Sequence, residues 1–459
     1  MKANRFVLAL LLIGLVAIKL PAQTLKTLAS FNGSNGQFPN ALTLGNDGNL
    51  YGTAGVGGRS GPGTVFKLMS NGTLTNLYSF TGGLDGGSPL AALTLGNDGN
   101  FYGTTEAGGS NGFGTIFQVT TNGALTTLVS FANTNGAYPY AGLTLGNDGN
   151  FYGATPYGGI TNENLNGFGT LFKVTTNGVL TALVLFNVTN GASPYAGLTL
   201  GNDGNFYGTT WNGGSSYYGT VFKMTPNGTL TTLASFNSTN GFLPDAALTL
   251  GNDGNFYGTS ELGGITNSSN PFGMGTIFQV MTNGTLTTLV SFNGTNGANP
   301  HAALTLGNDG NFYGTTEAGG SYNDNGTVFK VTTNGTLTTL VSFANTNGAY
   351  PEAALTLGAD GIFYGTTGKG GSSGAGTVFR LLLPATPPTL TLQFLAGYPL
   401  LSMYGTLGDT YTVEYTTNLA VPNWTPMLIV PNLSVSPFQM IDPAGVGQPT
   451  RFYRAIGSQ

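Results

Sequence analysis

The stretch LTLGNDGNFYGTT, residues 93–105, recurs unchanged at 198–210 and 304–316, and close variants begin at Leu42, Leu143, Leu248 and Leu355. The seven copies are spaced by 51, 50, 55, 50, 56 and 51 residues. That period suits a four-stranded propeller blade and is too long for one coil of a solenoid. Within it the sequence predicts four short strands. AALTL (91–95) and NFYGTT (100–105) flank an Asn-Asp-Gly turn whose Asp and Gly tolerate positive φ. GTIFQV (114–119) follows, and a Thr-Asn-Gly turn leads to ALTTLVSF (124–131).

Four strands of this size cannot bury both faces alone, but sheets stacked around an axis cover one another and leave only short edges. The first three strands occur seven times and end at GTVFRLLL (376–383), with no fourth strand after them. The missing strand lies at the other end of the repeats, where TLKTLASF (24–31) matches TLTTLASF (229–236). The expectation is therefore an all-β, seven-bladed β-propeller over residues 23–384, with its N-terminal strand closing the last blade against 376–383. One Tyr recurs in every copy (Tyr51, Tyr102, Tyr152, Tyr207, Tyr257, Tyr313, Tyr364), and so does one Phe (Phe66, Phe117, Phe172, Phe222, Phe278, Phe329, Phe379). Identical rings at identical positions read as packing between blades.

The pattern DGNFYGTT, GG, GTVFKVTTNG, LTTLVSF resembles the GloVer-type tandem repeat of secreted bacterial proteins that carry varied C-terminal modules. The resemblance covers about residues 24 to 383 and implies a propeller-like fold with no assigned activity. A looser likeness exists to the propellers of two-component sensor proteins. The turn is also similar to the Asp-box of sialidase-type propellers, but that motif has a residue between Asp and Gly which this sequence lacks, so no sialidase activity is carried over.

The remaining sequence falls into two segments. Residues 1–22 read as a secretory signal peptide: Lys2 and Arg5 precede an apolar run from Phe6 to Leu20, and Pro21 and Ala22 offer a small residue for cleavage. After Pro384, Pro387 and Pro388 the repeat stops. Alternation in TYTVEY (410–415), Trp424 and the closing RFYRAI predict a small β-sandwich over 385–459, which resembles the fibronectin-III-like modules ending many exported bacterial proteins.

Composition narrows the function. Charged residues are 7% of the 459, against about 25% in an average domain, so neutral polar side chains must cover the surface. Loss of Lys2, Arg5 and Lys19 with the leader leaves 18 acids against 10 bases, a net charge of −8 that argues against nucleic acid or an anionic membrane. Cysteine is absent, which removes disulfides and thiol chemistry. The expectation is a secreted or cell-surface monomer with no cofactor, no metal and no membrane span after leader cleavage.

Each turn Asp (Asp47, Asp98, Asp148, Asp203, Asp253, Asp309, Asp360) invites a calcium reading, yet calcium takes about six to eight converging oxygens and each turn supplies one carboxylate. They read as turn residues. His301 is the sole histidine, and spacing identifies no triad or metal partners for it, so it reads as a loop residue. The letters GxSxG occur at 108–112 (GGSNG) and 370–374 (GGSSG), but both belong to the repeated GG segment between predicted strands and lack a nucleophile-elbow context, and the GG pairs lack the lysine and helix of a phosphate loop.

The variation between copies is more informative. In an up-and-down blade, the loop between strands two and three and the loop to the next blade share one face, while the NDG and TNG turns share the other. The loop face takes the insertions at 160–169 and 265–275. It also carries Glu106, Pro156, Trp211, Glu261 and Glu317 after the TT pair, and Leu90, Tyr140, Tyr195, Asp245, His301 and Glu352 after the interblade proline. Rings beside carboxylates suit a sugar, whose apolar face stacks while its hydroxyls donate. The candidate ligand residues are therefore Tyr140, Tyr195, Trp211, Glu106, Asp245, Glu261, His301, Glu317 and Glu352. The leading expectation is a non-enzymatic binding or scaffold protein for a polysaccharide or surface protein. A ligand-free structural protein and a carbohydrate-active enzyme using paired carboxylates are the alternatives.

Overall fold

The computed structural model describes residues 24–159, 167–266, 270–321, 324–383, 388–405, 410–431, 433, 436–446 and 450–458. The expected leader, most of the Pro-rich linker, and residues 160–166 and 267–269 of the two insertions lie outside them. The described chain is all-β, with one short 3-10 turn at Pro443–Gly445. No helix among the described residues is long and apolar enough to cross a membrane.

The repeats form antiparallel sheets, numbered I to VII here by their hairpins. Sheet II is typical: Thr94–Leu95, Phe101–Thr105, Thr115–Val119 and Leu125–Ser130 lie side by side in chain order. The first strand is two residues long where the sequence predicted five. Sheet I departs by a fifth short strand, Gln37–Pro39, which pairs with Leu50–Val56. In sheet VII the outer strand comes from the chain's beginning: Thr24–Ser30 pairs antiparallel with Thr377–Leu382, Thr24 opposite Leu382 and Ser30 opposite Thr377.

Three repeating contacts hold neighbouring sheets together. The Thr of each LTL segment donates to the Leu carbonyl that opens the next hairpin, from Thr43 to Leu93 (2.6 Å) through Thr305 to Leu355 (2.6 Å). The series returns to its start when Thr356 donates to Leu42 (2.6 Å). Each repeat Tyr lies against the Phe of the next hairpin, as Tyr102 does on Phe151 with centroids 4.1 Å apart. The seventh pair is missing because sheet I has Leu50 in place of that Phe. Farther out, the Phe ending each outer strand meets the recurrent Phe of the following sheet, and Phe31 meets Phe66 edge-on at 5.1 Å. The apolar cores accordingly lie between sheets, including one that joins Phe31, Tyr364 and Val378 to Leu42, Leu50 and Phe66.

The NDG turn works differently from its prediction. Only its glycine takes a positive φ, +78° at Gly99. Asp98 serves as an acceptor: Oδ1 takes the Asn100 N–H at 3.1 Å, and Oδ2 takes Asn100 Nδ2 at 2.8 Å and the Tyr102 hydroxyl at 2.9 Å. Burial alone would raise its pKa, but these hydrogen bonds win and hold it low. The same Asp–Tyr bond recurs in all seven hairpins at 2.7–2.9 Å, so both carboxylate oxygens are engaged within their own turn.

The C-terminal region packs two three-stranded sheets, Thr389–Leu395, Tyr398–Tyr404 and Phe438–Ile441 against Thr425–Val430, Thr410–Thr416 and Phe452–Ser458, around Leu401, Met403, Tyr411 and Val413. Trp424 and the closing RFYRAI meet through Arg454, whose guanidinium lies 4.3 Å from the indole and pairs with Glu414 at 2.7 Å.

Candidate functional site

Every interblade proline follows a residue forced into the left-handed region: Phe38, Ser88, Tyr138, Ser193, Leu243, Asn299 and Tyr350 have φ between 52° and 55°. Such a conformation costs a non-glycine residue about 1 to 2 kcal/mol and persists only where its surroundings over-determine it. Here the surroundings are backbone hydrogen bonds. The Ser193 N–H donates to Phe168 O at 2.8 Å, and the Ser193 carbonyl accepts the Trp211 N–H at 3.1 Å. Equivalent bonds run from Glu106 to Ser88 (2.9 Å), Glu317 to Asn299 (3.0 Å) and Gly368 to Tyr350 (2.9 Å). The glycine opening the third strand completes the fit: at Gly114, φ is +94° and a Cβ would stand 2.8 Å from Pro139 Cδ. The strained residue thus clamps the position after the TT pair beside the position after the proline.

The positions so paired gather unlike side chains into one pocket of about 680 Å³, although Pro156 has no N–H with which to bond Tyr138. All seven post-proline residues line it: Asn40, Leu90, Tyr140, Tyr195, Asp245, His301 and Glu352. From the second position come Gly55, Trp211, Glu261, Glu317 and Gly368. Of the nine candidate residues, eight therefore meet in the pocket. Glu106 lies behind its wall and accepts the Tyr140 hydroxyl at 2.9 Å. Pro156 does not line it, while Phe38 and Val56, which sequence reasoning did not single out, do.

The lining is sorted by sheet. Sheets I and II supply small and apolar groups, sheets III and IV supply rings, and sheets V to VII supply acids. Tyr140 and Tyr195 meet nearly at right angles (5.1 Å, 77°), as do Tyr195 and Trp211 (5.7 Å, 78°). Both hydroxyls are engaged: Tyr140 donates to Glu106 at 2.9 Å and Tyr195 shares a 2.6 Å hydrogen bond with Tyr157, while the Trp211 indole acts to lower the Glu261 pKa. Burial, then Glu106, push the Tyr140 hydroxyl up to about 12.

The reading of His301 as a plain loop residue is overturned. Its Nδ1 lies 2.6 Å from Asp245 Oδ2 and its Nε2 3.1 Å from Glu317 Oε2, with the imidazole side chain 25% exposed. Burial opposes its charge, but the bonds to Asp245 and Glu317 prevail and raise its pKa to about 11. His301 is thus an imidazolium donating at both nitrogens. Its hydrogen bond holds the Glu317 carboxyl below its usual range. Burial raises Glu261 and Glu352 and the neighbouring acids add to it, outweighing the His301 charge that lowers both. Sequence spacing hid these partners because Asp245 and His301 are 56 residues apart. The signal was available, since the two occupy one column in consecutive repeats and consecutive repeats are neighbours in space.

Donor atoms of Asp245, Glu261 and His301 come within 4.8 Å of one another, which is the geometry of a possible cation site. A metal there would have to displace a proton from His301, because both ring nitrogens already bond carboxylates. The turn aspartates offer no converging set.

No curated protein matches this chain. Among solved structures, it is similar to a gluconolactonase of Xanthomonas campestris (13% identity, TM-score 0.43, covering 80% of this chain and 92% of that one). It is also similar to a periplasmic gluconolactonase of Pseudomonas aeruginosa (14%, 0.41, 75% and 88%) and to an ulvan lyase (11%, 0.43, 82% and 96%). Nothing about this chain's chemistry follows from likenesses at that level. The repeat itself is decisive: residues 14–165, 161–272 and 262–415 match the Gloeobacter/Verrucomicrobia repeat, and the chain belongs to that family.

Proposed function

We propose that the chain is an exported, monomeric carbohydrate-binding protein: a closed seven-bladed β-propeller whose loop-face pocket takes a short glycan, followed by a fibronectin-III-like module. The observation that carries the reading is the meeting of Tyr140, Tyr195 and Trp211 with four carboxylates in one pocket of about 680 Å³. Apolar sugar faces stack on rings, and acids accept from hydroxyls. The pocket volume lies within the range of about 300 to 1,000 Å³ usual for small-molecule sites. Calorimetric titration of residues 23–459 with a panel of oligosaccharides tests it. Saturable one-to-one binding is expected from at least one sugar, and a folded chain that binds none would leave the reading without support and favour a purely structural role.

One observation favours a second reading, a glycan-cleaving enzyme. Asp245 and Glu261 bring carboxylate oxygens within 4.8 Å, and burial, with the neighbouring acids, raises the Glu261 pKa. A raised acid facing an acceptor is the arrangement that protonates a leaving oxygen, and retaining glycosidases hold such pairs about 5 to 5.5 Å apart. Turnover of a bound oligosaccharide that disappears in Glu261→Gln while binding remains would establish it.

A further inference from the structure

The acids outnumber what His301 can neutralise. Asp245 and Glu317 hold its two nitrogens. Glu261 and Glu352 have no ion pair among the described residues: the His301 charge, within 4.8 Å of Glu261, and Lys369, which acts on Glu317 and Glu352, reach them only through space. Asp245 Oδ1 is buried without a hydrogen-bond partner. In the same pocket stand Tyr140, Tyr195 and Trp211, and with the two hydroxyls already engaged by Glu106 and Tyr157 the rings offer π surface to whatever enters. Carboxylates accept and cannot donate, and aromatic faces attract cations.

We propose that the ligand is an amino sugar bearing a free, protonated amine, with the ammonium lodged between the acids of sheets V to VII and the sugar face on the rings of sheets III and IV. This rests on the carbohydrate reading above and narrows it. An ammonium supplies three donors and a positive charge to a site that has acceptors and excess negative charge. An N-acetyl group keeps one donor and no charge, and a uronate or sulfate brings repulsion. Burial of Glu261 and Glu352 beside like charges, which raises both, is relieved when a cation arrives.

The test is calorimetry at about pH 6, where an amine is protonated, run both with added divalent cation and with EDTA. Oligomers of glucosamine, N-acetylglucosamine, glucose and galacturonate of equal length are compared. The expected result is glucosamine binding at least about tenfold tighter than the acetylated and neutral oligomers, weakening as salt rises, with galacturonate not bound. Glu352→Gln and Glu261→Gln, checked for unchanged melting, should each shrink the glucosamine preference several-fold. Equal or tighter binding of the acetylated or neutral oligomer overturns the amine assignment and leaves the carbohydrate reading standing. Binding that requires a divalent cation and vanishes in EDTA also overturns it, placing a metal among the acids instead. Failure of every sugar removes both.

Discussion

At the scale of single residues, the site rests on backbone that its side chains would not choose. Ser88, like its six counterparts, is left-handed at φ 53°. Ser88→Gly should therefore be between neutral and about 1 kcal/mol stabilising, strain relief exceeding the entropy that glycine costs, whereas Ser88→Val should lose about 1 to 3 kcal/mol. Thermal melting of the two variants separates them, and equal melting would mean that the clamp stores no strain. His301 provides a second handle. Its folded pKa, about 11, lies above the ordinary 6.5, so its contribution to stability is complete below about pH 6.5 and is lost as pH rises toward 11. The groups that set this are Asp245, Glu317 and Glu261, with Glu352 and Lys369 beyond them. The melting temperature of the parent should fall more steeply between about pH 7 and 10 than that of His301→Gln. Parallel curves would show that the imidazolium is not held as described.

At the scale of elements, legibility followed from repetition. The NDG hairpin, the third strand and the N-terminal strand were readable because each aligns with several copies of itself, and the structure puts Leu125–Ser130 within a residue of its predicted bounds. The first strand was overestimated because hydrophobic pattern does not reveal where ladder bonds stop: Leu93 is buried, but its carbonyl bonds sideways to Thr43 in the preceding sheet. The role of the turn Asp was missed for a similar reason, since its Tyr partner lies four residues on and becomes visible only once the strand is folded back. Thr24–Ser30 is the element that most tests the packing. It supplies the outer edge of sheet VII and leads into Phe31, which is fully buried against Phe66. Deleting residues 24–31 should cost several kcal/mol, on the scale of about 25 cal/mol per Å² of apolar surface exposed together with the lost ladder. Melting indistinguishable from the parent would show that this strand contributes nothing to the repeat region.

At the scale of the whole molecule, the repeat builds a frame and its exceptions line the pocket. One face ends in near-identical NDG turns whose aspartates are spent on their own tyrosines. The other ends in clamps that present two free choices per repeat, and those choices sort into a neutral side, an aromatic side and an acidic side around one pocket. The candidate list was legible because unlike residues stood out at equivalent positions. The pairings among them were not, because ring neighbours are about fifty residues apart in sequence. The most direct measurement compares the faces. With the oligosaccharide that the parent chain binds, calorimetric affinities are taken for Tyr195→Ala, Trp211→Ala and, from an exposed turn, Asn202→Ala. The pocket variants should each weaken binding by about tenfold or more, a loss of about 1 to 3 kcal/mol, with Asn202→Ala unchanged. Undiminished affinity in both pocket variants together with loss in Asn202→Ala would place the site on the turn face and contradict the account.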